Sequence, residues 1–282
     1  MRAMSVQAQL PVAVFDSGVG GLTVLHELLV SLPTEDYLYL GDTARLPYGS
    51  RSARELSAFS IEIADHLLEQ GCKLLVVACN SASAAALGPL QEHLGRSGSG
   101  VDVIGVLGAA TQMAVAASHT GRIGVLATTA TVASGAYDRA VAATDPHVHL
   151  ESVACPDLAA MIESGFEFNQ QLIETVRGYC APLRAADVDT VILGCTHYPL
   201  IAPLLQRTLG RGVTLVSSGR GVARSVERAL TARGRLNPQT GEGSYGFQCT
   251  GDVDSFRALG TRFLQMPLGE VKHVELGARL AA

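Results

Sequence analysis

No stretch of this chain holds the about 18 consecutive apolar residues that suggest a membrane-spanning helix. Met1 to Leu10 lacks an apolar signal core followed by a small-residue cleavage site, so the cytoplasm is the expected location. No long run of lysine or arginine occurs. With 21 basic against 26 acidic residues the formal charge is −5, which argues against direct nucleic-acid contact. No Cys-x-x-Cys pair occurs, which argues against a zinc ribbon or a thioredoxin-type dithiol. Charged residues are scarce at 17% and hydrophobic ones make up 48%, so disorder is not expected and a sizeable core is. The 282 residues suit two domains or one large α/β unit.

What is present is a repeated rhythm: a short apolar run, a small-residue turn, then an amphipathic helix. Val12 to Phe15 reads as a buried strand. Leu22, Leu25, Leu29 and Leu32 follow at helical spacing and Pro33 stops them. Tyr37 to Leu40 is a second strand. Ser52 with Glu55 has a capping-box pattern ahead of a helix whose face carries Leu56, Phe59, Ile63 and Leu67 and which Gly71 ends. Leu74 to Ala78 has no polar position, as befits a central parallel strand. A helix is expected from about Ser81 to Leu94, and a surface loop over Gly95 to Gly100. Further strands are expected at Val103 to Val106, Ile123 to Ala127, Val148 to Val153, Thr190 to Leu193 and Val213 to Val216. Strands alternating with helices predict parallel sheets.

The strand ending at Cys79-Asn80-Ser81 is echoed by the one ending at Cys195-Thr196-His197. Two similar α/β halves explain the echo; so does the general likeness of buried strands. The expected division places residues 1–104 with 220–282 in a first α/β domain and 105–219 in a second, with the site between them.

Ligands of open parallel sheets bind beyond the carboxyl ends of the strands. Four such ends carry unusual polar residues: Asp16-Ser17-Gly18, Asp42-Thr43 with Pro47-Tyr48-Gly49, Cys79-Asn80-Ser81, and Cys195-Thr196-His197. Gly18-Val19-Gly20-Gly21 invites a dinucleotide reading, with Asp42 as the ribose acid. The third glycine of that fingerprint falls at Thr23, which weakens it. Asp16 also suits a plain helix N-cap. Cysteine after an apolar strand is often a small core residue, and Cys72, Cys155, Cys180 and Cys249 are assigned to that role. Cys79 and Cys195 fit it less well. A helix N-terminus after each is expected to pull the thiol toward neutrality. Cys195 and His197 could share a zinc ion, but no third and fourth ligand has the expected spacing.

These segments resemble the glutamate racemase family. The carriers are Phe15 to Val24, Gly41-Asp42-Thr43, Pro47-Tyr48-Gly49, Ala78 to Ala82, and Leu193 to Pro199, with weaker matches at Thr128, Thr131, Ser134, Tyr137, Ala154-Cys155-Pro156 and Glu163. The resemblance covers about Val12 to Leu230, and the last fifty or so residues match only loosely. It implies two similar α/β domains and no cofactor, neither metal nor pyridoxal. Cys79 and Cys195 become the two proton carriers, assisted by Asp16 and His197 respectively. Asp16, Ser17, Tyr48, Gly49, Asn80, Ser81, Thr128, Thr131, Glu163, Thr196 and His197 become substrate-binding positions. It further implies glutamate as substrate, a cytoplasmic homodimer, and D-glutamate supplied for peptidoglycan. Aspartate or hydantoin racemisation on the same fold is the alternative. Some family members inhibit DNA gyrase, but no feature of this sequence supports gyrase contact. Ser81 stands where threonine is usual, and Leu107-Gly108-Ala109-Ala110 where many members have a proline–glycine turn.

Overall fold

The computed structural model of the chain describes residues 6–165 and 169–277. Its strands form two sheets, and every strand pairing in them is parallel. In the first half β1 (Val12–Asp16), β2 (Tyr37–Gly41), β3 (Leu74–Val77) and β4 (Asp102–Gly105) alternate with helices α1 (Leu22–Ser31), α2 (Ala53–Glu69) and α3 (Asn80–Ser97). In the second, β5 (Arg122–Ala127), β6 (His149–Ala154), β7 (Thr190–Gly194) and β8 (Thr214–Ser217) follow α4 (Val106–Ala117). Helices α5 (Thr129–Ala133), α6 (Ala136–Thr144), α7 (Leu158–Glu163), α8 (Gln170–Ala185) and α9 (Ala202–Leu209) connect them. Helix α10 (Ser218–Ala232), β9 (Tyr245–Cys249), α11 (Val253–Leu264) and β10 (Val271–His273) complete the chain.

The sheets run β10-β9-β2-β1-β3-β4 and β6-β5-β7-β8. The second has the order of the first four strands, so each half places its first strand between its second and third. At that point consecutive connections leave in opposite directions, and the strand ends there open a crevice. The echo between halves is thus an echo of topology.

Local chemistry sets the elements. β3 is buried at every position. Helix α2 opens with both bonds of a capping box: Ser52 Oγ accepts from the Glu55 amide, and the Glu55 carboxylate accepts from the Ser52 amide. One apolar cluster runs from β1 and α1 through α10 and α4 to β5 and β7, and a second lies beneath α2 and α3. Helix α10 packs on both α1 and α4 and so ties the two sheets together.

Three expectations need correction. The loop expected from Gly95 begins only at Gly98, whose φ of 64° ends α3. Leu94 is buried and holds the last turn in place, and one helical glycine costs only about 1 kcal/mol. Asp16 is not a helix N-cap: α1 starts behind Gly21, and the Asp16 carboxylate accepts instead from the Gly18 amide at 3.0 Å. No α-helix opens directly behind Cys195, where Tyr198–Ile201 forms a tight 3-10 turn before α9. β9 and β10 were not foreseen; β9 joins the first sheet by pairing along β2 from Tyr37↔Tyr245 to Gly41↔Cys249.

Candidate active site

The crevices of the two sheets meet in one cavity of about 410 Å³. Ser17 enters it from the end of β1 and Cys79, Asn80 and Ser81 from the end of β3. Opposite them stand Thr128 after β5 and Cys195, Thr196 and His197 after β7. Tyr48 and Gly49 come from the loop after β2, and Glu163 from the end of α7. Leu46, Pro47, Ser50, Thr129, Pro156, Ala159 and Ala160 also line the cavity; of these only Pro47 and Pro156 fell within motifs read from the sequence. Asp16 and Thr131 stand behind the lining. Asp16 is fully buried, and Thr131 Oγ1 lies 3.0 Å from Thr128 Oγ1 and 3.3 Å from Ser81 Oγ.

Each thiol has its own set of partners. Cys79 Sγ donates to Ser17 Oγ at 3.8 Å, and Ser17 Oγ donates to Asp16 Oδ2 at 3.3 Å. Asp16 therefore reaches Cys79 through a hydroxyl. Burial raises the Asp16 carboxyl above its usual range, against the opposing pull of His197 and the Gly18 amide. Cys195 Sγ lies 3.6 Å from His197 Nδ1. Burial alone lowers the imidazole, but the Cys195 sulfur and the Glu163 carboxylate outweigh it and raise His197 to about 10. Glu163 Oε1 is 3.7 Å from His197 Nε2. Thr196 Oγ1 faces Asp16 Oδ1 at 3.5 Å, which joins the two sets.

The expected drop of both thiols toward neutrality is corrected at Cys79. Burial, followed by the negative charge of Asp16, pushes Cys79 up to about 12, although it stands at the N-cap of α3. Desolvation of a closed site outweighs the helix terminus. Alkylation of Cys79 by iodoacetamide in the ligand-free protein should therefore still be accelerating between about pH 10 and 11. An ordinary cysteine, ionising near 8.5, has nearly levelled off there. Peptide mass spectrometry against pH measures this, and a plateau reached by about pH 10 contradicts it.

The first glycine turn serves the site by close approach. A Cβ on Gly20 would lie 2.6 Å from His197 Nδ1 and run into Thr196 Oγ1. Thr23, the residue that departs from the dinucleotide pattern, donates to the Thr196 carbonyl at 2.9 Å. Asp42 does not face a ribose site: it accepts from Tyr48, from Arg45 Nε at 2.6 Å and from Thr250 Oγ1 at 2.9 Å, and so braces the loop carrying Tyr48 and Gly49. Phe263 of α11 stands edge-on to the His197 ring, with centroids 5.0 Å apart. Nothing in the sequence pattern placed that helix at the site. All six cysteines are unpaired and buried. Among the described residues no group of three or more His, Cys, Asp or Glu side chains is placed to hold a metal ion, and no helix is long and apolar enough to cross a membrane.

Residues 23–226 match the Asp/Glu/Hydantoin racemase family. A glutamate racemase of Parafrankia sp. is 46% identical over 255 residues, 90% of either chain. A crystal structure of a glutamate racemase from Bacillus anthracis superposes with a TM-score of 0.90 at 37% identity, covering 95% of this chain and 98% of that one. One from Thermus thermophilus, in complex with beta-chloro-D-alanine, gives 0.83 at 42% identity over the same shares.

Proposed function

We infer the activity from membership: this chain belongs to the glutamate racemase family, and it interconverts L-glutamate and D-glutamate by moving the proton on the alpha carbon. The observation that carries the reading is a pair of thiols from equivalent strand ends of two like sheets, lining one cavity. Racemisation needs a base on one face of the alpha carbon and an acid on the other. Thiols can do both, so the reaction needs no pyridoxal and no metal.

In this reading Cys79 takes the proton from D-glutamate and Cys195 takes it from L-glutamate. The Cys195–His197 contact gives the second base a partner for proton exchange, and the Ser17–Asp16 chain does the same for the first. Asn80 and the hydroxyls of Ser17, Ser81, Thr128 and Thr196 offer donors to the two carboxylates, including the one where charge builds up as the proton leaves. Burial of Cys79 makes its thiolate reactive once the substrate has excluded water. Glutamate, rather than aspartate or a hydantoin, is the substrate, as the names of the relatives at 37–46% identity support. The product supplies D-glutamate for peptidoglycan.

Incubation with L- or D-glutamate in heavy water, without added cofactor, tests the reading. Both enantiomers should converge on the racemate with deuterium at the alpha carbon. Unchanged optical rotation, or faster conversion of aspartate, rejects it. The homodimer, the cytoplasmic location and the division at 104/105 and 219/220 belong to the same proposal and rest on the family resemblance and the sequence rhythm. A fully active monomer in light scattering rejects the dimer.

A further inference from the structure

Asn80 is 3% exposed and lines the cavity beside Cys79, and its two amide ends are treated differently. Oδ1 accepts a hydrogen bond from the Tyr137 hydroxyl at 2.8 Å. Nδ2 is buried and has no partner in the protein. An unpaired buried donor is unfavourable by itself, so such a group in a binding cavity implies an acceptor that arrives with the ligand.

A carboxamide has nearly the same shape either way round, and only its neighbours decide which end faces a ligand. Tyr137 lies on α6, in the other half from α3, and is 2% exposed. Burial raises its phenol well above the usual value, so it stays protonated and can donate. With the amide reversed, the phenol proton would lose its acceptor and Oδ1 would face the incoming anion. Both changes are unfavourable.

We propose that Tyr137 is a positioning residue that, through its hydrogen bond to Asn80 Oδ1, turns Asn80 Nδ2 toward a substrate carboxylate. Tyr137 touches no substrate and acts only through Asn80. Because the bond spans from a helix of one half to a helix of the other, the donor is presented only when the two halves stand in this arrangement. Ser81 and Thr128, whose hydroxyls lie 2.9 Å apart, bridge the same gap.

The inference rests on glutamate being the substrate. Racemisation by the unaltered protein is therefore measured first, and failure of that reading appears before any variant is compared. The test is a double-mutant cycle on glutamate kinetics with Tyr137→Phe, Asn80→Ala and the pair. Tyr137→Phe, which removes only the hydroxyl, should raise KM by about tenfold, the worth of one hydrogen bond. Asn80→Ala should lose kcat/KM on the order of 10- to 100-fold, as for a bond to a charged group. The pair should match Asn80→Ala within about twofold, because a residue that acts only through Asn80 has nothing left to act on. If Tyr137→Phe costs the same factor with and without Asn80, its role is packing and the proposal falls. Partial misfolding of Tyr137→Phe would appear in that way, and a thermal melt identifies it. Wild-type KM in Tyr137→Phe overturns the proposal equally.

Discussion

Cys79→Ser and Cys195→Ser should each lose glutamate racemisation in both directions, by about 10²- to 10⁴-fold. A serine hydroxyl ionises far less readily than a thiol, and each direction needs both groups. Half of the chemistry should survive on a substrate with a beta leaving group, such as chloroalanine. There one base removes the alpha proton, the electron pair expels chloride, and the aminoacrylate formed hydrolyses to pyruvate and ammonium. No acid on the opposite face is needed. Cys79→Ser should therefore still eliminate from the L-form through Cys195, and Cys195→Ser only from the D-form through Cys79. Pyruvate release from the two enantiomers, measured with each variant, decides it. Near wild-type racemisation by either variant would reject the two-base reading. Loss of elimination from the same enantiomer in both would reject the assignment of faces.

The second large effect concerns stability, far from the cavity. Lys73 and Glu35 form an ion pair with no side-chain exposure at the amino-terminal edge of the first sheet. The Lys73 ammonium also donates to the Ala8 carbonyl at 2.6 Å, and Glu35 accepts from the Asn237 amide at 2.7 Å. The pair thus joins the first turn of the described chain, the start of β3 and the segment after α10. Lys73→Met leaves a buried carboxylate without its cation, and loss of one partner of such a pair costs about 3–5 kcal/mol. For a chain of this size the thermal midpoint should fall by roughly 10 °C. Adding Glu35→Gln to Lys73→Met should recover part of the loss, since the unpaired charge is then gone. A midpoint unchanged in Lys73→Met, or lowered further in the double variant, would show that the pair does not act in this way.

Much of the fold was legible because buried parallel strands advertise themselves. Leu74 to Val77 and Val191 to Leu193 carry no polar residue, and a strand covered on both faces can have no other pattern. The Ser52–Glu55 box was legible because its bonds are local. β9 was not: Tyr-Gly-Phe-Gln-Cys mixes polar and apolar positions, and its strand exists because β2 offers it a ladder. The end of α3 is not legible, because Gly95 looks like a stop while the helix continues to Ser97 and ends at the left-handed Gly98.

The sequence by itself determined which groups carry the chemistry. Two cysteines at strand ends, each followed by polar residues, and a glycine turn after the first strand are properties of the chain's order. Tertiary structure alone decided how those groups behave. A thiol's proton affinity depends on the water and charge around it, so Cys79 rises where a helix start had suggested a fall. Cys79 meets Ser17, Phe263 reaches His197 from the far end of the chain, and Tyr137 donates to Asn80. Each is a contact between residues distant in sequence, and no local pattern encodes a contact whose partners meet only when the two sheets close on one cavity.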